Sequence, residues 1–213
     1  WSSDVCSSDL RVEAITNQAI ETTENRFDTF YVMDVEEATD SGDVVTADSD
    51  VPSPSQTAER FRSRNLGSSF AAAYFPDVEM MVPGSSTKSF FAPPSISVLR
   101  VYAEQQAQGS ILAPAGFERG LIPDQSDGTA IQTKILISNT DGKEVINDLY
   151  SVAINPIVAG DDGLVLFGQR TTLSNVDSLM QRISIRRMVI DIRRSVRALA
   201  RNILFEQNQE KVL

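Results

Sequence analysis

"SSFAAAYFPDVEMMV", residues Ser68–Val82, is the stretch whose reading decides the fold. It reads as a strand that Pro76, which has no N–H to give to a ladder, demotes near its end. Upstream, "RFDTFYVMDV" (Arg26–Val35) is rich in aromatic and β-branched residues and reads as a second, buried strand. Between them lie "EEATDSGDVVTADSDVPSPS" (Glu36–Ser55), acidic and Pro-punctuated, and "QTAERFRSRNLG", which reads as a short helix with Gly67 at C′. The acidic stretch is expected to be a mobile surface loop. Little order is expected before about Arg26, where residues from about Val12 to Asn25 have only weak helical character.

Downstream the alternation continues. Ser95, after Pro93-Pro94, is placed to cap a helix reaching about Gln105. "GSILAPAGFERGLI" is irregular, "TKILIS" is a strand, and Asp141 is placed to cap a helix over "KEVINDLYS". "VAINPIVAG" and "GLVLFGQRTTL" add two strands. Strands alternating with helices give a mixed α/β fold.

The last helix has the clearest period. After Ser184 as a candidate N-cap, Ile185, Met188, Val189, Ile192, Val196, Leu199 and Ile203 share one face and are read as its core side. Arg186, Arg187, Arg193, Arg194, Arg197 and Arg201 fall on the flank away from it. That arginine stripe reads either as a solvated face or as a docking surface for an acidic partner.

The opening "WSSDVCSSDL" holds the only Trp (Trp1) and the only Cys (Cys6) of the 213 residues. It matches the translation of TGG AGT TCA GAC GTG TGC TCT TCC GAT CT, which resembles the end of a sequencing-library adapter. Residues 1–10 are therefore expected not to be native and stand outside the fold reasoning. Setting Asp4 and Asp9 aside takes the formal charge from −10 to −8. The acids concentrate in residues 11–60, including Glu36, Glu37, Asp40, Asp43, Asp48 and Asp50, and the arginines in the last forty or so.

The chain has no His at all, which removes the usual general base, the commonest metal ligand and any Ser-His or Cys-His pair. "GSSTKS" (Gly84–Ser89) lacks the second Gly that a phosphate loop needs, and "AGDDGL" (Ala159–Leu164) lacks the Ca²⁺-loop pattern and reads as a tight turn. No catalytic, metal or cofactor residues are assigned, and no apolar stretch approaches the ~20 residues that span a bilayer.

Seven short motifs occur in order: "YFPDV" (Tyr74–Val78), "PPS" (Pro93–Ser95), "APAG" (Ala113–Gly116), "NP" (Asn155–Pro156), "FGQRT" (Phe167–Thr171), "SIRRM" (Ser184–Met188) and "FEQN" (Phe205–Asn208). In that order they resemble the contractile-tail sheath protein of myophage-type bacteriophages. Phe167 stands where that family often has Trp, and Gln207 where it often has Pro. The resemblance implies an interior fragment. Residues 11–118 would be the end of a subtilisin-like α/β part carrying the acidic loop 36–55. Residues 119–213 would be a truncated C-terminal sheath domain of mixed sheet and a long amphipathic helix.

It further implies a structural, non-enzymatic subunit that stacks in six-membered rings around the tail tube. Neighbouring subunits are linked by arms that add strands to one another's sheets. Contraction drives the tube through the host envelope, by rigid-body switching between two packings. The implied partners are other sheath subunits, the tube protein, the baseplate and the tail terminator, with no cofactor, no nucleic acid and no membrane insertion. The implied location is the phage tail of the virion, assembled in the host cytoplasm. A bacterial contractile injection system or tailocin gives a nearly identical pattern. A nucleic-acid-binding domain using the arginine helix is a more distant reading, weakened by the overall acidity. Within the sheath reading, Arg186, Arg193, Arg194, Arg197 and Arg201 are expected to face the tube or a neighbouring subunit. Many weak exposed ion pairs, each about 0–1 kcal/mol, would hold together and release together there. Arg170 and Arg187 are expected to be structural, tying strand to helix.

Overall fold

The computed structural model describes residues 3–47, 49–82, 85, 87–109, 112–122, 132–138, 142–174 and 177–203. Its centre is a four-stranded sheet of order β1-β2-β5-β6, built from β1 (Tyr31–Asp34), β2 (Ala71–Phe75), β5 (Ile154–Gly160) and β6 (Gly163–Leu166). β1 and β5 run parallel to β2, and β6 returns antiparallel along β5. The expected α/β class is what the chain adopts. The sheet draws strands from both sides of residue 118, the boundary expected between two parts.

Every residue of β2 is buried, because helices cover both faces of the sheet. Side chains alternate along a strand, so Ala73 and Phe75 point to one face and Ala72 and Tyr74 to the other. On the first face, Met33, Ala73, Phe75, Ile154 and Val158 pack against Ala58 and Phe61 of α2 (Pro54–Ser63) and Ile146 and Leu149 of α4 (Lys143–Ser151). On the second, Ala72, Tyr74, Ile157 and Leu166 meet Val98, Val101 and Tyr102 of α3 (Pro94–Ala107) and Ile183, the first residue of α5 (Ile183–Ile203). The alanines of β2 are what let helices approach this closely. Asp161-Asp162 link β5 to β6 as the expected tight turn, with Gly163 at φ +125°, a conformation an L side chain rarely adopts.

Several local expectations are corrected. The stretch Ser68–Val82 is two strands: β2 stops at Phe75, the Phe75–Pro76 peptide is cis, and β3 (Val78–Met81) leaves to pair antiparallel with β4 (Ser89–Ala92). "TKILIS" forms isolated bridges instead of a strand, because its bonding is shared out. Thr133 bridges Val78 of β3, and Ser138 bridges Ala159 of β5. Gly67 does not close α2; the left-handed residue after that helix is Asn65, at φ 46°. Ser95 lies inside α3 and does not cap it. The Asp34 carboxylate takes over, accepting the Ser95 N–H at 2.7 Å and the Ser95 hydroxyl at 2.8 Å, the acceptor that a helix N-terminus favours. Asp141, the candidate cap of α4, falls outside the described residues.

Two segments expected to lack order are built into the fold. Ser3–Arg26 is one helix, α1, which buries Thr16, Ile20 and Thr23. The acidic segment is tied down by its backbone. Ala38, fully buried, donates its N–H to Thr57 Oγ1 and accepts from Ser53 N–H. Asp50 accepts the N–H groups of Thr46 and Ala47. Glu37 is only 6% exposed.

Candidate interaction surface

Helix α5 is amphipathic as expected, yet its apolar stripe is not a buried core side: Ile185 and Val189 are half-buried, and from Ile192 to Arg201 both sides of the helix are exposed. Periodicity fixes which residues share a face and leaves open which face meets the body. Met188 is 39% exposed, Ile192 55%, Val196 57% and Leu199 63%. These four members of the stripe read as the core side are therefore exposed, and Ile203's side chain falls outside the described ones. Ser184, the candidate N-cap, is inside the helix and donates to Gln169 Oε1.

Along the first part of the helix the arginines also meet the body, where aromatic rings receive them. The Arg186 guanidinium lies 4.0 Å from the centre of the Phe70 ring and also donates to Ser69 Oγ. Burial lowers its pKa, and Glu24 opposes the shift. The Arg187 guanidinium lies 4.5 Å from the Tyr102 ring and Arg193 4.7 Å from Phe27. Phe27 in turn stands edge-on to Phe70 at 5.4 Å. These contacts set the cations on ring faces. Only Ile183 and Ile190 contribute buried apolar side chains from this helix among the described residues.

Beyond Arg193 the attachment becomes ionic and exposed. Arg194 donates to the Asp28 carbonyl and lies 4.0 Å from Asp191, while Arg197 pairs with the Asp28 carboxylate at 3.6 Å. Asp28 also accepts from Arg26 at 3.0 Å, and that bond, with the charges of Arg26 and Arg197, holds its carboxyl below the usual range. Arg201, one turn further, is exposed. Thus Arg186, Arg187 and Arg193 are engaged within the chain, and Arg194, Arg197 and Arg201 lie at its edge.

Arg170 belongs to a different cluster. It donates through Nη1 to the Tyr150 carbonyl at 2.6 Å and lies 5.2 Å from the Tyr150 ring, joining the chain after β6 to the end of α4. Its backbone is held by Asn155. The sequence motifs "NP" and "FGQRT" thereby form one unit. "APAG" packs beside it, with Gly116 N–H donated to the Leu166 carbonyl and Phe117 5.9 Å from Phe167. Beneath α5, the buried Tyr74 and Tyr102 hydroxyls share a hydrogen bond at 2.6 Å.

Sequence reasoning missed the aromatic seats Phe27, Phe70 and Tyr102. It also missed Glu37, whose carboxyl is pushed up to about 7 by burial and then by Asp77. No group of three or more potential metal-ligating side chains occurs among the described residues.

No protein-family model matches the sequence, and no curated protein matches it significantly. Solved structures do match. A chain of the PVC sheath complex of an extracellular contractile injection system, in the contracted state, is similar over 86% of this chain, with a TM-score of 0.61 and 22% identity. The chain has the fold of contractile sheaths. A chain of the contracted anti-feeding prophage (AFP) helical sheath matches over 85% with a TM-score of 0.54 and 23% identity. A chain of the contracted AFP baseplate matches over 93% with a TM-score of 0.58 and 20% identity. This chain spans 44%, 41% and 47% of those three chains. The resemblance drawn from the ordered motifs holds for the sheath fold.

Proposed function

We propose that this chain is part of a structural subunit of a contractile sheath, which polymerises around a tube and contracts to drive the tube through a cell envelope. The observation that carries the reading is the similarity of fold, over most of this chain, to the PVC sheath-complex chain. The exposed apolar residues of α5, Met188, Ile192, Val196 and Leu199, support it, since a helix face of this kind is what a subunit presents to an assembly. Within that reading Arg194, Arg197 and Arg201 are the basic residues placed to meet the tube or a neighbouring subunit. Arg186 and Arg193 would act by fixing the helix that carries them, as Arg187 and Arg170 fix theirs.

The role is structural, not enzymatic. Partners would be further copies of the subunit, the tube, the baseplate and the terminator, and the location a tail or tail-like device assembled in the cytoplasm. The matched structures are of an extracellular contractile injection system and of the anti-feeding prophage, which favours a sheath of that kind as the second reading beside a phage tail. Nucleic-acid binding is disfavoured, because three of the α5 guanidinium groups already lie on rings of the same chain.

The test is to co-express the complete gene product with the neighbouring tube protein and examine the particles by electron microscopy. Ribbed cylinders surrounding tubes are expected. A monomeric product beside bare tubes overturns the reading.

A further inference from the structure

Away from α5, the structure assembles a group of arginines with no acid among them. Thr171 donates its N–H to the Gln181 carbonyl and Ile183 to the Gln169 carbonyl, so Arg170 and Arg182 are direct partners across an antiparallel bridge. Partners of this kind stand side by side, and like charges there repel. Both line an open cavity of about 530 Å³ beside Tyr150. An adjoining cavity of about 420 Å³, sharing Tyr150 and Gln169, adds Arg119. None of the described residues lining either cavity is Asp or Glu. Among the described residues, the Nε atoms of Arg119 and Arg170 are buried without a hydrogen-bond partner.

Arg170 is held in place there. Asn155 fixes both the N–H and the carbonyl of Arg170, and Tyr150 fixes its guanidinium. Three arginines lining adjoining cavities without a counter-charge, one of them held in place, fit carboxylates. The second cavity also has apolar walls from Ile146 and Phe167, which suit a length of peptide more than a lone anion.

The chain itself carries a surface of matching chemistry, at the other end of the sheet. β1 and β2 run parallel and end at Asp34 and Phe75, and there the acidic segment emerges, fastened by Glu37 to the Asp77 N–H at 2.9 Å. Asp40 and Asp43 are exposed on it. The arginine group lies toward the opposite end, where Thr172 N–H bonds to the carbonyl of Ala71, the first residue of β2. Acid at one end and base at the other are complementary in the head-to-tail sense, the heterologous geometry that builds rings or open helices.

We propose that the Arg119–Arg170–Arg182 cleft receives the acidic segment around Asp40 and Asp43 of a second copy of this chain. The contact goes beyond the assembly role given to α5 and does not depend on a tube. The test is sedimentation of the chain over a concentration series, with variants Arg119→Glu/Arg182→Glu and Asp40→Lys/Asp43→Lys. Wild type should self-associate at low salt and less so at high salt, as exposed charges are screened. Each variant alone should associate at least roughly tenfold more weakly. Mixing the two, which places a basic segment against an acidic cleft, should restore association. If the arginine variant melts early, Arg119→Gln/Arg182→Gln replaces it, with the same weakening expected.

A wild type that stays monomeric, an association indifferent to both variants, or a folded mixture that does not re-associate overturns the proposal. Cylinders from a complete gene product carrying both reversals at the cleft, indistinguishable from wild type, would sink this contact and leave the sheath reading intact. Charge-dependent pairing without any cylinder formation would do the reverse.

Discussion

Asn155 Oδ1 accepts the backbone N–H of Arg170 at 2.7 Å, while its Nδ2 donates to the carbonyls of Arg170 at 2.8 Å and Ala73 at 3.0 Å. The side chain is fully buried and substitutes for strand pairing at the start of β5, beyond the end of its ladder with β6. A Cβ on Gly168 would lie 2.6 Å from that Oδ1. Asn155→Ala strands several buried backbone groups at once, each about 1–3 kcal/mol. A loss of about 3 kcal/mol or more is expected in urea unfolding. Gly168→Ala should cost about 1–3 kcal/mol by overpacking. Unchanged midpoints in both variants would show that the knot does not hold the sheet edge.

The Tyr74–Tyr102 pair predicts a non-additive result. Burial raises the Tyr74 hydroxyl well above its ordinary pKa and pushes Tyr102 up to about 12, so both remain neutral partners. Tyr74→Phe or Tyr102→Phe alone leaves one buried hydroxyl without its partner and should cost about 1–2 kcal/mol. Removing both should cost less than the sum of the two single changes. Thermal melts of the four proteins give the coupling, and strict additivity would refute it.

Glu37 gives stability a pH dependence of definite sign. Its carboxyl is held near pH 7 by burial and by repulsion from Asp77, against the Asp77 N–H and the charge of Lys134. Between the ordinary carboxyl pKa and about 7, the unfolded chain releases a proton that the folded chain keeps. The Glu37 contribution therefore becomes less favourable as pH rises through that window and levels off above it. The shift corresponds to at most about 3 kcal/mol. Glu37→Gln keeps the acceptor for Asp77 N–H and removes the ionisation. The variant should be no more stable than wild type at pH 4 and more stable at pH 8. Parallel stability–pH curves would exclude a buried acid here.

How much of this was legible in the sequence depends on what each residue's neighbours decide. A strand within Arg26–Val35, shortened to Tyr31–Asp34 because α1 runs to Arg26, the β5–β6 turn and the existence of α5 follow from local pattern, and the ordered motifs led to the sheath fold. Side-chain partners from distant segments were not legible. Ser95 loses its capping role because Asp34 arrives from 61 residues away, and the acidic segment is ordered because Thr57 and Asp77 accept and donate to it. For α5 the wheel shows two faces equally well. Phe70, Tyr102 and Phe27, scattered through the chain, seat Arg186, Arg187 and Arg193 against the body.

That arrangement is directly testable. If Ile192, Val196 and Leu199 are exposed, replacing them singly with Gln should change the stability of the chain by no more than about 0.5 kcal/mol, as for ordinary surface sites. Ile190→Ala, on the buried side, should cost about 2–4 kcal/mol. The opposite ranking would put the stripe back in the core. The same helix separates folding from assembly. Arg194→Glu/Arg197→Glu/Arg201→Glu leaves the ring contacts of Arg186, Arg187 and Arg193 in place, so the helix should remain docked, while Asp28 loses Arg197 and keeps Arg26. In the complete protein, co-expressed with its tube, this triple reversal should sharply reduce tube-dependent cylinders while the melting curve of the subunit barely moves. Normal cylinders from that variant would remove these three arginines from the assembly surface.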